Sequence, residues 1–142
     1  MNINNFTANI LDCIDDIKCV LKEYETKDDR KYKMIFLNSI RYSLLQIYSH
    51  FKIISKALYK REGSESFVES IEYCIRRNYM SPCDTGVFKT LENIVIESMY
   101  RNGYKSISDE KVIEFCKANL SVFKSEALSI SKNFDDNSRR GD

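Results

Sequence analysis

The sequence predicts an all-α fold, a single-domain antiparallel helical bundle of about five helices. Apolar residues repeat at alternating intervals of three and four along most of the chain, which is the spacing of one helix face. Strand signals are scarce, because no stretch alternates apolar and polar residues between turn dipeptides. The chain has 142 residues, of which 43% are hydrophobic, with four glycines and one proline. This length and composition suit one helical core.

The first two helices are predicted to pair as a long hairpin. Helix one runs from about Asn4 to Tyr24. Helix two runs from about Asp29 to Lys60 and would reach about 45 to 50 Å, so a kink or break is expected within it. Its predicted inner face consists of Tyr32, Ile35, Phe36, Ile40, Ser43, Leu44, Ile47, Phe51, Ile54 and Leu58.

Capping signals mark the starts of three further helices. Ser66, with Glu69 three residues later, has the form of a capping box and begins helix three. Ser81 followed by Pro82 predicts the start of helix four, because proline is favoured at the first helical position. Ser108, followed by two acidic residues, predicts the start of helix five.

Composition also predicts the domain boundary and the cellular compartment. Residues 1–132 form the predicted bundle domain, and the polar stretch 133–142 is predicted to be a disordered tail. The chain begins without a basic segment leading into an apolar one, and it has no long apolar span, so a cytoplasmic protein without membrane contact is expected. The five cysteines have no short ligand spacing, which favours reduced thiols over a disulfide or zinc framework.

Charge is segregated along the chain although the net charge is only +1. Residues 1–29 hold seven acids and three bases, whereas residues 30–61 hold eight bases and no acid. The acidic part contains a weaker candidate for partner binding, the acidic face, formed by Asp12, Asp15 and Asp16. A solvated helix surface is the alternative interpretation of these three residues.

The basic part contains the stronger candidate for partner binding, named here the basic stripe. Lys52, Lys56 and Lys60 lie at intervals of four on one side of helix two, and Arg61 adjoins them. Such a surface suits phosphates or an acidic protein face. The alternative is a solvated helix face that neighbouring acids partly neutralise.

No catalytic or cofactor-binding pattern is evident. His50 is the only histidine, and nothing in the sequence brings it beside a cysteine, as a Cys–His hydrolase requires. Asp12 and Asp16 are better explained as solvated than as metal ligands. The phosphate-binding motifs GxxxxGK[ST] and GxGxxG are missing. We therefore predict no catalytic residue, no metal and no cofactor.

Helices three to five resemble the C-terminal half of HEPN domains, small bacterial helical proteins often paired with minimal nucleotidyltransferases as toxin and antitoxin. The resemblance covers about 65 residues and rests on a helix ending in Arg77-Asn78-Tyr79-Met80-Ser81, then an apolar helix and a turn. The last helix then opens with Ile107-Ser108-Asp109-Glu110-Lys111-Val112. Ribonuclease members of that family use an arginine, usually followed by asparagine, and a histidine a few residues later.

The chain departs from that catalytic pattern. The corresponding stretch has glutamates, Glu92 and Glu97, at both positions, and Arg101-Asn102 is followed by no histidine. The resemblance therefore implies a binding scaffold without nuclease chemistry.

The chain is small and shows no catalytic pattern, and its charge is segregated along the sequence. These properties favour a non-catalytic protein that neutralises a partner protein. The comparison is with immunity proteins and antitoxins, and the expected partner is a bacterial toxin such as a nuclease. The alternative is a HEPN-like, nucleotide- or RNA-associated component of a nucleotidyltransferase toxin–antitoxin pair. An enzyme of an unrecognised type and a homodimer also stay open.

Overall fold

The computed structural model describes residues 2–59, 66–99 and 107–139, with side chains described as far as residue 135. Five helices and no strand occupy these residues, which confirms the predicted all-α bundle. The helices are α1 (Ile3–Thr26), α2 (Arg30–Tyr59), α3 (Phe67–Arg76), α4 (Thr85–Met99) and α5 (Asp109–Arg139).

The predicted hairpin of the first two helices is confirmed by contacts at both of its ends. Near the start of α1, Asn9 lies 3.4 Å from His50 of α2. Near the turn, the Lys33 ammonium of α2 lies 5.1 Å from the ring centroid of Tyr24 of α1. No break interrupts α2, which is one continuous helix of 30 residues.

Helix α1 also packs antiparallel to α5 on its other side. Asn4 donates a hydrogen bond to Asp135, and at the other end Glu25 forms an ion pair with Lys117. The last helix therefore covers the first along most of its length.

Helix α4 runs antiparallel along α2, while the short α3 follows the direction of the end of α2. Tyr48 of α2 contacts Phe67 at the start of α3, and Tyr59 contacts Tyr73 further along both helices. Between them, the hydroxyl oxygens of Ser55 and Ser70 are 2.8 Å apart, which satisfies two buried polar groups.

Three phenylalanine rings form the centre of the core, one each from α2, α4 and α5. The centroid of Phe51 lies 5.2 Å from that of Phe88 and 6.0 Å from that of Phe123, and Phe88 and Phe123 are 5.5 Å apart. All three side chains are fully buried. Phe88 is edge-to-face with both other rings, a geometry that stabilises the contact beyond the burial of area alone.

The predicted inner face of α2 is wrong in its first two turns. Tyr32 and Ile35 are exposed there, and Leu37 is buried instead. Five of the six residues from 32 to 37 are apolar, so the spacing alone does not single out one face. The residue that is buried in these turns is the one that lies in line with the buried stripe of Ile40 and Leu44.

Two helix ends also differ from the prediction. Helix α4 begins at Thr85, because Asp84 accepts a hydrogen bond from the amide of Gly86 and acts as the cap in place of Ser81. Helix α5 continues past residue 132, where the tail was predicted to begin. Asn133 there donates a hydrogen bond to the carbonyl of Tyr79.

We expect Phe51→Ala to lower the free energy of unfolding by about 3 to 5 kcal/mol, because it opens a cavity where three helices meet. Tyr42→Ala, an aromatic change at an exposed position of the same helix, should change it by no more than about 0.5 kcal/mol. Urea titration followed by circular dichroism measures both. Equal effects would contradict the central position of the ring cluster.

Candidate functional site

The structure describes two of the four residues of the basic stripe. Lys52 is exposed, and its ammonium lies 5.7 Å from the ring centroid of Tyr48, so the aromatic face holds the cation in a favourable position. Lys56 lies one turn further along α2 and is partly buried. Lys60 and Arg61 lie outside the described residues. Whether the four act together stays a prediction.

All three residues of the acidic face, Asp12, Asp15 and Asp16, are exposed on α1. Burial and the charges of Asp16 and Asp12 together raise the pKa of the neighbouring Cys13 thiol. The carboxylates thus produce a negative local field, and Cys13 is kept as a thiol rather than a thiolate.

Asp12 of the acidic face and Lys52 of the basic stripe lie at different heights of the α1–α2 hairpin. Asn9 contacts His50, so in an antiparallel pair Asp12 lies beyond this contact in one direction and Lys52 lies beyond it in the other. Asp12 and Lys52 are therefore not level with each other along the hairpin.

Arg41 is the residue that sequence reasoning most clearly misjudged, because it counted only as one of the bases of α2. Its side chain is 6% exposed. Its guanidinium donates hydrogen bonds of 2.9 Å to Ser98 at the end of α4 and to Asp109 at the start of α5. A planar guanidinium can serve two acceptors at once, so Arg41 ties three helices together. Its position in the buried stripe between Ile40 and Leu44 was the available signal.

Glu126 of α5 is a second buried ionisable residue that the sequence analysis did not select. It is 2% exposed and accepts a hydrogen bond from the Ser81 hydroxyl, in the segment that joins α3 to α4. Its second carboxylate oxygen, Oε2, has no hydrogen-bond partner among the described residues. Burial raises the pKa of this carboxyl, although the hydrogen bonds from Ser81 act in the opposite direction.

The same segment is fixed to α5 at a second point. Asn78 has a φ of 62°, the left-handed conformation that ends many helices, and asparagine tolerates it better than most residues. The following Tyr79 carbonyl accepts hydrogen bonds from both Ser129 and Asn133. Residues 77–84 are thus held by contacts with α5 and do not form an open loop.

The two glutamates at the catalytic positions of the HEPN pattern both make contacts within the bundle. Glu92 accepts a hydrogen bond of 3.1 Å from the Tyr48 hydroxyl, and burial together with this carboxylate raises the pKa of Tyr48 to about 12. Glu97 accepts a hydrogen bond of 3.0 Å from the backbone amide of Ile107. Arg101 and Asn102, the other possible register, lie outside the described residues.

The contacts of His50 and of the cysteines do not resemble those of a nucleophilic site. Nδ1 of His50 donates to the carbonyl of Gln46, while Nε2 faces Asn9. Burial raises the pKa of Cys74 and of Cys116 to about 12 each, which is opposite to the change that activates a thiolate.

Two wider features of the described helices bear on the class of function. In the described parts of the chain, no three His, Cys, Asp or Glu side chains lie close enough together to hold a metal ion. Among the described helices, none combines the length and the apolarity that crossing a membrane requires.

Comparisons of the chain with protein-family profiles, with curated proteins and with solved structures found no match.

We expect Arg41→Leu to destabilise the protein by about 2 to 3 kcal/mol, because two charge-assisted hydrogen bonds are lost and the partly buried Ser98 hydroxyl loses its donor. Water can replace the guanidinium at Asp109, whose side chain is 45% exposed. Arg41→Lys should recover only part of this, since one ammonium cannot reproduce the planar fork. Arg76→Leu, at an exposed arginine of α3, is the control and should have an effect within about 0.5 kcal/mol. Thermal and urea unfolding measure all three.

The raised pKa of Glu126 predicts a pH-dependent stability. Between the ordinary glutamate value and the raised folded value, the native state binds more protons than the unfolded state. Stability should therefore be greatest below the ordinary value and fall as pH rises through the folded value. Glu126→Gln should remove this component, whereas Glu114→Gln, at an exposed position of the same helix, should retain it. Urea midpoints from about pH 4 to about pH 8 measure it, and parallel wild-type and Glu126→Gln profiles would contradict it.

Proposed function

We propose that this chain is a non-catalytic binding protein that neutralises a partner protein in the cytoplasm, in the manner of immunity proteins and antitoxins. The expected partner is a bacterial toxin such as a nuclease. Protein neutralisation of this kind needs one complementary surface and no reactive group.

The buried and half-buried ionisable side chains support this proposal because they connect helices rather than converge on one point. Arg41 joins α2 to α4 and α5, and Tyr48 joins α2 to Glu92 of α4. Glu126 joins α5 to the segment after α3. Among these contacts there is no pairing of a nucleophile with a base. These interior groups stabilise the bundle, and the other charged side chains that the structure describes are exposed or partly buried.

The alternative proposal, a HEPN-like RNA-associated component, is supported by one observation. Lys52 and Lys56 lie one turn apart on α2, a spacing that can follow adjacent phosphates. Two described lysines are few for a dedicated nucleic-acid surface. The affinity of such a surface usually depends on about six or more phosphate contacts. We therefore rank this second.

The proposal is tested with the tagged chain expressed at its natural level in the native host. We expect affinity purification to recover a stoichiometric protein, and expression of that protein alone to arrest growth. Co-expression of the chain should restore growth. Recovery of no stoichiometric partner, or of one whose expression is harmless with and without the chain, would contradict the proposal.

The alternative is separated by an RNA-binding measurement. Fluorescence anisotropy of a short single-stranded RNA at about 50 mM and about 200 mM salt should show little binding by the wild-type chain if the first proposal is correct. Tight, salt-sensitive binding that weakens in the variant Lys52→Ala, Lys56→Ala would instead support the RNA-associated role.

A further inference from the structure

The outward side of α2 lacks charge over its middle turns. Between Lys33 and Lys52, Arg41 is the only Asp, Glu, Lys or Arg in the sequence, and its side chain is buried. On solvated protein surfaces, about a quarter to a third of the residues are usually charged. The middle of α2 therefore has the composition of a surface that is depleted of charge, as the centres of protein interfaces are.

Two large apolar side chains lie along this uncharged surface, and a third lies just beyond Lys52. Ile35 is 54% exposed, Tyr42 is 63% exposed and Ile53 is 41% exposed. They are separated by seven and eleven residues, which are close to two and three whole helical turns, so the three form a row along one side of the helix. The row extends about 27 Å, given about 1.5 Å per residue.

The adjoining surface of α4 extends the row sideways. Ser98 binds Arg41 and Glu92 binds Tyr48, so the α4 turn between these contacts lies beside the middle of α2. Ile96 and Met99 are exposed on this part of α4. Met99 follows Ser98 directly, so it lies at about the level of Tyr42 along α2. The two α4 side chains are included in the candidate surface for this reason, and Tyr42 is near the middle of the row.

Basic side chains lie at both ends of the row. Arg30 and Lys31 are exposed at the start of α2, and Lys52 is exposed towards its end. Asp29 precedes the helix, and its carboxylate accepts a hydrogen bond from the backbone amide of Lys31 as an N-terminal cap. Asp28 and Asp29 are exposed at the same end and offset part of this charge. The four bases and two acids from residue 27 to residue 33 leave a net charge of +2. The described ends are therefore positive on either side of an uncharged centre.

We propose that the exposed row Ile35, Tyr42 and Ile53, together with Ile96 and Met99, is the surface that binds the partner protein. The partner's contacting surface then has an apolar centre flanked by acidic side chains, which face the basic ends of α2. This inference rests on the proposed function, and it identifies the surface of the chain that contacts the neutralised protein. Tyr42 is its anchor, because buried tyrosines contribute more than most residues to protein interfaces.

Charge complementarity favours such a partner over a second copy of this chain. If the row paired with itself across a two-fold axis, each basic end of α2 would lie against a basic end of the other α2, whether the helices ran parallel or antiparallel. Like charges placed opposite one another oppose association. An acidic partner gains from the same charges.

The location of the surface is tested by photo-crosslinking in the native host. p-Benzoylphenylalanine replaces Tyr42 in one strain and Asp15, an exposed residue of the acidic face, in a second strain. We expect irradiation to link the partner to position 42 and not to position 15. Mass spectrometry of the linked peptides identifies the partner and the residues in contact, which should include acidic residues near the crosslinked peptide.

The energetics are tested with the purified partner by titration calorimetry and stopped-flow binding. Tyr42→Ala should weaken binding by about thirtyfold or more. Lys31→Glu should slow association and reduce its dependence on salt. Glu114→Gln, at an exposed position of α5, is the control and should leave affinity unchanged, and urea unfolding verifies that each variant is folded.

Each outcome separates this inference from the proposal on which it rests. Crosslinks from position 15 alone, or unchanged affinity in Tyr42→Ala, would overturn the assignment of the surface. The proposal that the chain neutralises a partner protein would still stand. Crosslinks from position 42 to a second copy of the chain would overturn it in favour of self-association. Failure to recover a partner from either position, or by affinity purification, would overturn the proposed function itself.

Discussion

The rings of Phe51, Phe88 and Phe123 meet where α2, α4 and α5 come together, and the rest of the bundle depends on this contact. These helices are far apart in the chain, so their association requires the closure of long loops, whose entropic cost burial of large side chains must offset. Aromatic rings suit this purpose because each covers a wide area and contacts the two others, with Phe88 edge-to-face to both. Helix α1 packs along both α2 and α5, and α3 packs against α2 and α4, so these two helices connect the three that supply the rings.

Buried ionisable groups determine the relative positions of helices that apolar packing alone would leave less well specified. Arg41 binds Ser98 and Asp109, so the end of α4 and the start of α5 are held at one level of α2. Glu126 has the corresponding role at the opposite end of α4, through Ser81. Apolar surfaces tolerate sliding by a turn, whereas hydrogen bonds of defined geometry do not. Both groups carry a cost, because Arg41 Nε and one oxygen of Glu126 have no partner among the described residues.

Much of the fold could be predicted from sequence, because helical periodicity and capping are local properties. The five helices, the hairpin of α1 and α2, and the Ser66 cap are examples that the structure confirms. The exposure of Tyr32 and Ile35 could not be predicted, since it depends on where neighbouring helices lie. Similarly, Arg41 and Glu126 occupy core-facing positions, but spacing cannot reveal which distant partner makes a buried charge acceptable. The candidate surface has the same limitation, because the sequence alone gives charge runs, whereas the packing shows which apolar residues stay uncovered.

The backbone that carries Tyr42 also carries the buried Arg41, one residue earlier. Arg41 is bonded to two other helices, so this turn of α2 is fixed from the inside. Because the backbone of this turn is already fixed, it loses little conformational freedom when another molecule covers its outward side chains. Association then spends less of its free energy on ordering the protein, and more of the contact energy is retained as affinity.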